Sequence, residues 1–111
     1  MSNSQEIFTN MLDFQRKDIL KVDSYDKLTI KEMKKISEKI NDNIFSSKKC
    51  CNFTGKINRS KPVLRFRGKY VNLRRLIYHN YIDNIIKQKK IYVSCKNEKC
   101  LNFLHFNLKI S

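Results

Sequence analysis

The stretch that decides the fold runs from Cys95 to His105 and reads Cys-Lys-Asn-Glu-Lys-Cys-Leu-Asn-Phe-Leu-His. Two thiols and an imidazole recur there at intervals of five residues, and these are the side chains that bind zinc in structural sites. A structural zinc site is tetrahedral and needs a fourth donor, which Cys50 or Cys51 can supply from upstream. The spacing therefore predicts a zinc site that ties this stretch to the loop around residue 50.

The length of the chain and its cysteine content agree with a metal. A chain of 111 residues forms one domain with a small core, which gains stability from a bound ion. The sequence has no apolar run long enough to cross a bilayer and no secretion signal, so we expect an intracellular protein. In a reducing compartment its four cysteines are expected as thiolate ligands or free thiols, with disulfides as the alternative.

The net charge of +14 is concentrated in the middle of the chain. Residues 56–90 carry eleven basic side chains and one acidic side chain, whereas residues 1–49 carry ten and eight. A concentrated basic surface attracts a polyanion, and the alternative is a solvated face that only keeps the protein soluble. The charge predicts a nucleic-acid partner, in the nucleus or at a cytoplasmic site of nucleic-acid processing such as a viral factory.

Two helices are predicted in the amino-terminal part, residues 1–47. Apolar residues at mostly helical spacing predict the first helix from Gln5 to Val22. Thr29 and Glu32 form a capping-box pattern that starts the second helix, which is expected to reach about Asn41. Because this part is nearly neutral, we expect it to pack or to dock a protein partner.

A hairpin, a helix and a strand are predicted before the zinc motif. Strands at 63–66 and 69–73 flank Arg67 and Gly68, a two-residue turn. Leu64 and Phe66 share one face, and Arg65 lies on the opposite, cationic face with Arg67. A helix is expected from about 73 to 87, and a short strand at 91–94 leads into the first thiol of the motif.

Three stretches carry a resemblance to a known family. They are Cys50-Cys51-Asn52-Phe53-Thr54-Gly55, Gly68-Lys69-Tyr70-Val71, and the stretch from Cys95 to Phe106 with Cys100, Leu101, Asn102 and His105 in it. Their order resembles the zinc-binding region of His-Cys box homing endonucleases and zinc-bearing HNH proteins, which belong to the His-Me finger (ββα-metal) superfamily. The resemblance covers about residues 50–107. Phe103 stands where the family has Pro, and Phe106 stands where it has Leu.

This resemblance implies a fold and a ligand set. The fold is α+β: a small zinc-bound His-Me finger-like module at residues 48–111, preceded by the helical segment at 1–47. Because the glycine of the family's first site falls five residues after its cysteine, Gly55 selects Cys50 over Cys51 as the ligand. The implied donors to one structural zinc ion are Cys50, Cys95, Cys100 and His105.

The same comparison implies that catalysis is absent. The family's general-base histidine lies two residues before the first cysteine of the pair, and Val93 at that position cannot accept a proton. The asparagine that holds the family's divalent ion would fall beyond Ser111. We therefore expect no enzyme activity and no catalytic residue. His79, within a predicted helix, is expected to be a packed or surface helix histidine rather than a substitute base.

Nucleic-acid contacts are predicted on the hairpin and at the start of the helix that follows it. DNA is favoured over RNA, and an arginine can bind phosphate or read guanine. Tyr70 and Tyr78 are expected in the core rather than stacked on bases. Two alternatives stay open: a structural or adaptor subunit of a protein or nucleoprotein assembly, and an active metal-dependent nuclease with an unusual base. The predicted contacts are Arg65, Arg67, Lys69, Arg74 and Arg75.

Overall fold

Three α-helices, a 3-10 turn and two antiparallel sheets make up the part of the chain that the computed structural model describes, residues 3–86 and 89–110. The α+β class predicted from the sequence is confirmed. One sheet has the order β1-β2-β3, and the other pairs β4 with β5. The elements are α1 (Ser4–Phe14), α2 (Ile30–Ser37), β1 (Ile57–Asn58), β2 (Lys61–Phe66), β3 (Lys69–Asn72), α3 (Leu73–Tyr81), β4 (Lys89–Val93), the 3-10 turn (Phe103–His105) and β5 (Phe106–Ile110).

The first helix is shorter than its apolar pattern predicts. It ends at Phe14 rather than at Val22, because Gln15 has extended backbone (ψ 130°) and the next backbone N–H, that of Arg16, donates to the carbonyl of Asn80 at 2.9 Å. Leu20, which the helical pattern counted as an apolar contact, is 63% exposed. The chain from 15 to 28 therefore follows hydrogen bonds to α3 rather than a helix of its own.

The second helix begins where the capping box predicts. A carboxylate oxygen of Glu32 accepts hydrogen bonds from the backbone N–H and the hydroxyl of Thr29, at 2.9 and 2.7 Å. The helix ends at Ser37, short of the predicted Asn41. Beyond it the backbone pairs with residues 52–54, including Thr54 N–H to the Lys39 carbonyl at 2.7 Å, so these groups satisfy each other instead of extending the helix.

The hairpin of β2 and β3 forms in the predicted register, with Leu64 opposite Val71. Arg67 and Gly68 both have positive φ, 53° and 83°, as the mirror-image turns that suit two-residue hairpins require. Leu64 and Phe66 are buried and Arg65 is exposed, as the strand alternation predicts. Leu73, predicted as the end of the second strand, is the first residue of α3.

The third helix also stops early, at Tyr81. The backbone N–H groups of Ile82 and Asp83 both donate to the Tyr78 carbonyl, and the chain then turns back along the helix. The predicted end at Lys87 lies outside the described residues. The strand predicted at 91–94 is present as β4, and it pairs with β5 so that Val93 lies opposite Phe106.

One buried apolar cluster contains residues from both predicted segments. Asn80 connects the irregular stretch 15–28 to this core, because its fully buried amide makes four hydrogen bonds. No helix within the described residues has the length and apolar character needed to cross a membrane. Among the buried members of the cluster are Ile7, Met11, Met33, Ile36, Phe53, Leu64, Leu76 and Leu101.

Candidate metal centre and basic cleft

Four donor atoms converge between the loop at residue 50 and the segment 95–105. The thiols of Cys50, Cys95 and Cys100 and one ring nitrogen of His105 all lie within 4.8 Å of one another. The His105 Nδ1 is 3.4 Å from the Cys100 Sγ and 3.7 Å from the Cys50 Sγ. A tetrahedral zinc ion separates a sulfur and a nitrogen ligand by about 3.6 Å, given its usual bond lengths. The four residues are therefore close enough together to coordinate one metal ion.

The ring of His105 is oriented for metal binding. Its Nε2 lies 3.1 Å from the carbonyl oxygen of Lys48. A carbonyl only accepts hydrogen bonds, so Nε2 carries the hydrogen and donates it, and the lone pair of Nδ1 faces the thiols. A backbone partner on the second nitrogen is typical of histidines that bind metals.

The backbone around His105 is held by a buried asparagine. The side chain of Asn102 donates to the carbonyls of Ser47 and Lys49, at 2.8 and 2.7 Å, and accepts from the Leu104 N–H at 3.0 Å. These bonds tie the final segment to the loop that carries Cys50. Asn102 also caps the single 3-10 turn that carries His105.

Cys51 is kept out of the cluster by the direction of its side chain. Its thiol is fully buried and lies 3.7 Å from the Lys49 carbonyl, to which it donates, and burial raises its pKa to about 11. Its backbone carbonyl accepts from the Leu101 N–H at 2.8 Å. Since neighbouring side chains of an extended segment point to opposite sides, Cys50 faces the other donors. The structure thus places Cys50, and not Cys51, with the other three donors.

Two thiols of the cluster, Cys95 and Cys100, differ in acidity. Burial raises the pKa of Cys100 to about 12. At Cys95 the effect of burial is outweighed by hydrogen bonds from the Asn97 backbone and from Cys50, His105 and Cys100, which lower the pKa to about 7. Cys95 therefore supplies a thiolate to a cation at neutral pH more readily than Cys100 does.

Arg74 supports this centre, a role that the sequence did not reveal. Only 5% exposed, it donates from Nε to the Cys100 carbonyl and from Nη2 to the Asn97 carbonyl, both at 2.9 Å. Burial lowers its pKa, and the nearby Cys100 and Cys95 oppose that effect. A buried side chain bonded in this way does not suit the phosphate contact predicted for Arg74, so it is left out of the surface proposed below.

The other predicted nucleic-acid contacts are spread over different surfaces. Arg65 is on the exposed face of β2. Arg67 forms an ion pair with Asp26 at 3.0 Å. Lys69 lies opposite Phe66 in the strand register, so its side chain is on the other face of the sheet from Arg65. It lines a cavity of about 170 Å³ together with Asp26. The guanidinium of Arg75 lies 5.3 Å from the centre of the Tyr25 ring. Arg65 and Arg67 line one cavity, and Arg67 and Lys69 line another, but the structure does not bring all four side chains into a single cavity.

A larger cationic surface lies beside the metal centre. It is a cleft of about 730 Å³, which we call the basic cleft. It lies between the start of β2, the start of α3, and β4 with the loop from Cys95 to Cys100, which we call the thiol loop. Among its described lining residues Glu98 is the one acid. Val93, the position of the family's general base, also lines it. The sequence did not reveal this cleft, because two cationic stretches, 59–61 and 90–96, are distant in the chain and face each other only in the folded structure. Its basic side chains, apart from buried Arg74, are Arg59, Lys61, Arg75, Lys90 and Lys96.

His79 is fully buried, and both of its ring nitrogens are occupied. Nδ1 accepts from the Ile85 N–H at 2.9 Å, so Nε2 carries the hydrogen and donates it to the Leu20 carbonyl. Burial lowers its pKa below the ordinary value, Arg16 lowers it further, and the Leu20 bond and Asp26 act in the opposite direction. The ring joins α3 to the segment that precedes α2.

We expect acid to destabilise the protein through His79. The unfolded side chain takes up a proton near pH 6.5, whereas the folded one does so only at lower pH, so stability is lost as the pH falls through this window. Urea unfolding at saturating zinc should show a lower free energy of unfolding at pH 5.5 than at pH 7. The variant His79→Gln should be less stable but should lack this part of the slope. Equal slopes in the two proteins would contradict the assignment.

Comparison with known proteins adds one relative. The chain is 33% identical over 112 residues to an uncharacterized protein of Acanthamoeba polyphaga mimivirus, in an alignment that covers 94% of this chain and 32% of the relative. The chain thus spans about a third of that protein's length. No family model and no solved structure matches the sequence. The resemblance to His-Cys box endonucleases therefore depends on the motif and on the cluster of four donors.

Proposed function

We propose that this protein binds nucleic acid, DNA in particular, in the basic cleft. The observation that carries the proposal is the placement of cations on both walls. Arg59 and Lys61 come from the sheet side, and Lys90 and Lys96 come from β4 and the thiol loop. Opposed cationic walls concentrate positive potential in the space between them, which favours a phosphate backbone.

A zinc ion is proposed to hold one wall of the cleft, the loop that carries Lys96, in position. Three thiolates and one imidazole are a donor set typical of structural zinc, and all four tetrahedral positions are filled by the protein. Such a site leaves no position for water or substrate, so the ion's contribution is to structure. Lys96 lies next to Cys95, which makes the shape of this wall of the cleft dependent on the metal.

The protein is further proposed to be a His-Me finger relative without nuclease activity. Val93 lines the cleft at the position of the general base and offers no proton acceptor. His79, the other candidate, is buried with both nitrogens hydrogen-bonded. The proposed outcome is binding without cleavage. Metal-dependent nicking of supercoiled DNA that is lost in His79→Gln would instead favour the active nuclease.

Salt should weaken DNA binding strongly. If about five phosphates are neutralised, the dissociation constant should rise a few hundredfold between 50 and 200 mM salt. Lys90→Gln removes one cleft cation and should lower the slope of log affinity against log salt by about 0.9. Lys34→Gln is the matched control. Lys34 is exposed on α2 and does not line the cleft, so this variant should bind almost as wild type. Affinity that does not change with salt would exclude the proposal.

The second candidate function is a structural or adaptor subunit. The observation that favours it is an open aromatic groove of about 320 Å³, lined by Phe14, Phe45, Tyr81 and Phe103, with Phe14 55% exposed. Exposed apolar patches of this kind often mark protein interfaces. A stoichiometric protein complex that survives nuclease treatment and retains no nucleic acid would favour this function. The viral relative makes a viral factory a reasonable location in which to test either proposal.

A further inference from the structure

Tyr70 lies near the middle of the hairpin but is not part of the core. Its side chain is 50% exposed, on the outward face of β3, with Arg65 directly opposite in the register. The ammonium of Lys56 lies 4.2 Å from the centre of the ring, and the guanidinium of Arg65 lies 5.9 Å from it. The expectation that Tyr70 packs in the core was wrong. A half-exposed aromatic ring therefore lies on this face, with two cations close to it.

This ring is placed between two cationic cavities. At one end of β2, Lys61 contributes to the basic cleft, and at the other end Arg65 lines a second cavity of about 350 Å³. The four residue steps from Lys61 to Arg65 correspond to about 13 Å. A backbone that follows β2 from one cavity to the other would pass Tyr70. The cations of the second cavity are Lys31, Lys35, Arg65 and Arg67.

We infer that Tyr70 is a stacking platform for an unpaired nucleobase, and that the nucleic acid this protein takes is single-stranded or contains an unpaired segment. The inference rests on the proposed function. In a duplex the faces of the bases stack on one another, so a surface tyrosine gains little from it. Proteins that bind single strands combine a positive track for the backbone with exposed aromatic rings for the bases, and β2 and β3 present both.

Lys56 occupies the ring face without blocking it. A lysine over an exposed aromatic ring is held weakly, and a base stacks on such a ring more strongly. The lysine stem is flexible and its charge is compact. When a base arrives, the ammonium can move aside and bind the adjacent phosphate, so the same side chain keeps the ring in place before binding and contributes charge afterwards.

The test compares single strands and blunt duplexes of about 15 nucleotides, a length within known single-strand site sizes, at one salt concentration. The wild type should bind the strand more tightly than the duplex. Tyr70→Leu should weaken strand binding roughly five- to a hundredfold and leave duplex binding nearly unchanged. Tyr70→Phe keeps the ring and should bind the strand almost as wild type. Phe14→Leu, which removes an exposed ring outside this face, should change neither affinity.

Abasic oligonucleotides supply the second measurement. Removing bases from the strand should weaken binding by the wild type and by Tyr70→Phe, because both have a ring on which the missing base would stack. Binding by Tyr70→Leu, which has no such ring, should not change. If Tyr70→Leu binds the strand as wild type does, or loses strand and duplex equally, the platform is wrong and the basic cleft stands. If the wild type binds neither form at any salt, the proposed function has failed and the inference with it.

Discussion

Removal of the proposed zinc ion should lower the free energy of unfolding by about 5 kcal/mol or more, which is enough to unfold much of the protein at room temperature. Binding of structural zinc contributes about 10 to 16 kcal/mol in small zinc-finger peptides. The effect here should be smaller, because the apolar contacts between α1 and α2 do not depend on the metal. It should still be large, because the ligands join Cys50 to His105 across 55 residues.

Cys100→Ser is the variant that tests this expectation. Serine is nearly isosteric but does not replace a thiolate at zinc, so purified Cys100→Ser should contain no stoichiometric zinc and should melt about 20 °C or more below wild type. Elemental analysis and thermal unfolding, with and without a chelator, supply the measurements.

Cys51→Ser is the matched control. Its thiol is also buried but faces away from the cluster, so this variant should keep one zinc per chain and show only a moderate loss of stability. Two results would refute the metal centre: wild-type protein purified without zinc, or Cys100→Ser with unchanged thermal stability.

Arg74→Met should weaken zinc binding about 10- to 100-fold, the usual effect of losing a residue that supports metal ligands. It should also cost about 2 to 4 kcal/mol of stability, because it leaves the carbonyls of Cys100 and Asn97 without their donor. Charge contributes as well. Three thiolates, a neutral imidazole and a divalent ion carry one net negative charge, which the buried guanidinium offsets.

Arg75→Met provides the comparison for Arg74→Met. The neighbouring arginine lies over Tyr25 rather than under the thiol loop, so its loss should leave zinc affinity within about twofold of wild type. Competition with a coloured chelator measures the affinity of both variants. Equal zinc affinity in Arg74→Met and Arg75→Met would show that Arg74 contributes to packing only.

Local patterns in the sequence were sufficient for much of the site and the hairpin. Cys95, Cys100 and His105 were assigned from their spacing, and the turn at Arg67 and Gly68 from its length. In each case a few neighbouring residues determine the geometry. The choice of Cys50 over Cys51 needed the family resemblance, because adjacent cysteines look alike in composition and differ only in direction.

Long-range hydrogen bonds account for what the sequence did not predict. The first helix ends early because residues 15–28 bond to Asn80, more than fifty positions away, and no local pattern announces that partner. From the sequence, Arg74 was predicted to be a surface cation, and only the folded structure shows that it is buried and bonded to the thiol loop. The second wall of the basic cleft appears only when β4 is placed beside the turn that precedes β2.

The separation of the zinc ligands also fixes when the site can form during synthesis. Cys50 leaves the ribosome 55 residues before His105. At ordinary elongation rates that interval lasts about 3 to 11 s, during which the set of four donors is incomplete. Helices α1 and α2 can form in this time, since the contacts within each helix are local. If zinc is bound as proposed, the complete site can capture it only after His105 has emerged, so binding follows the formation of the local helices.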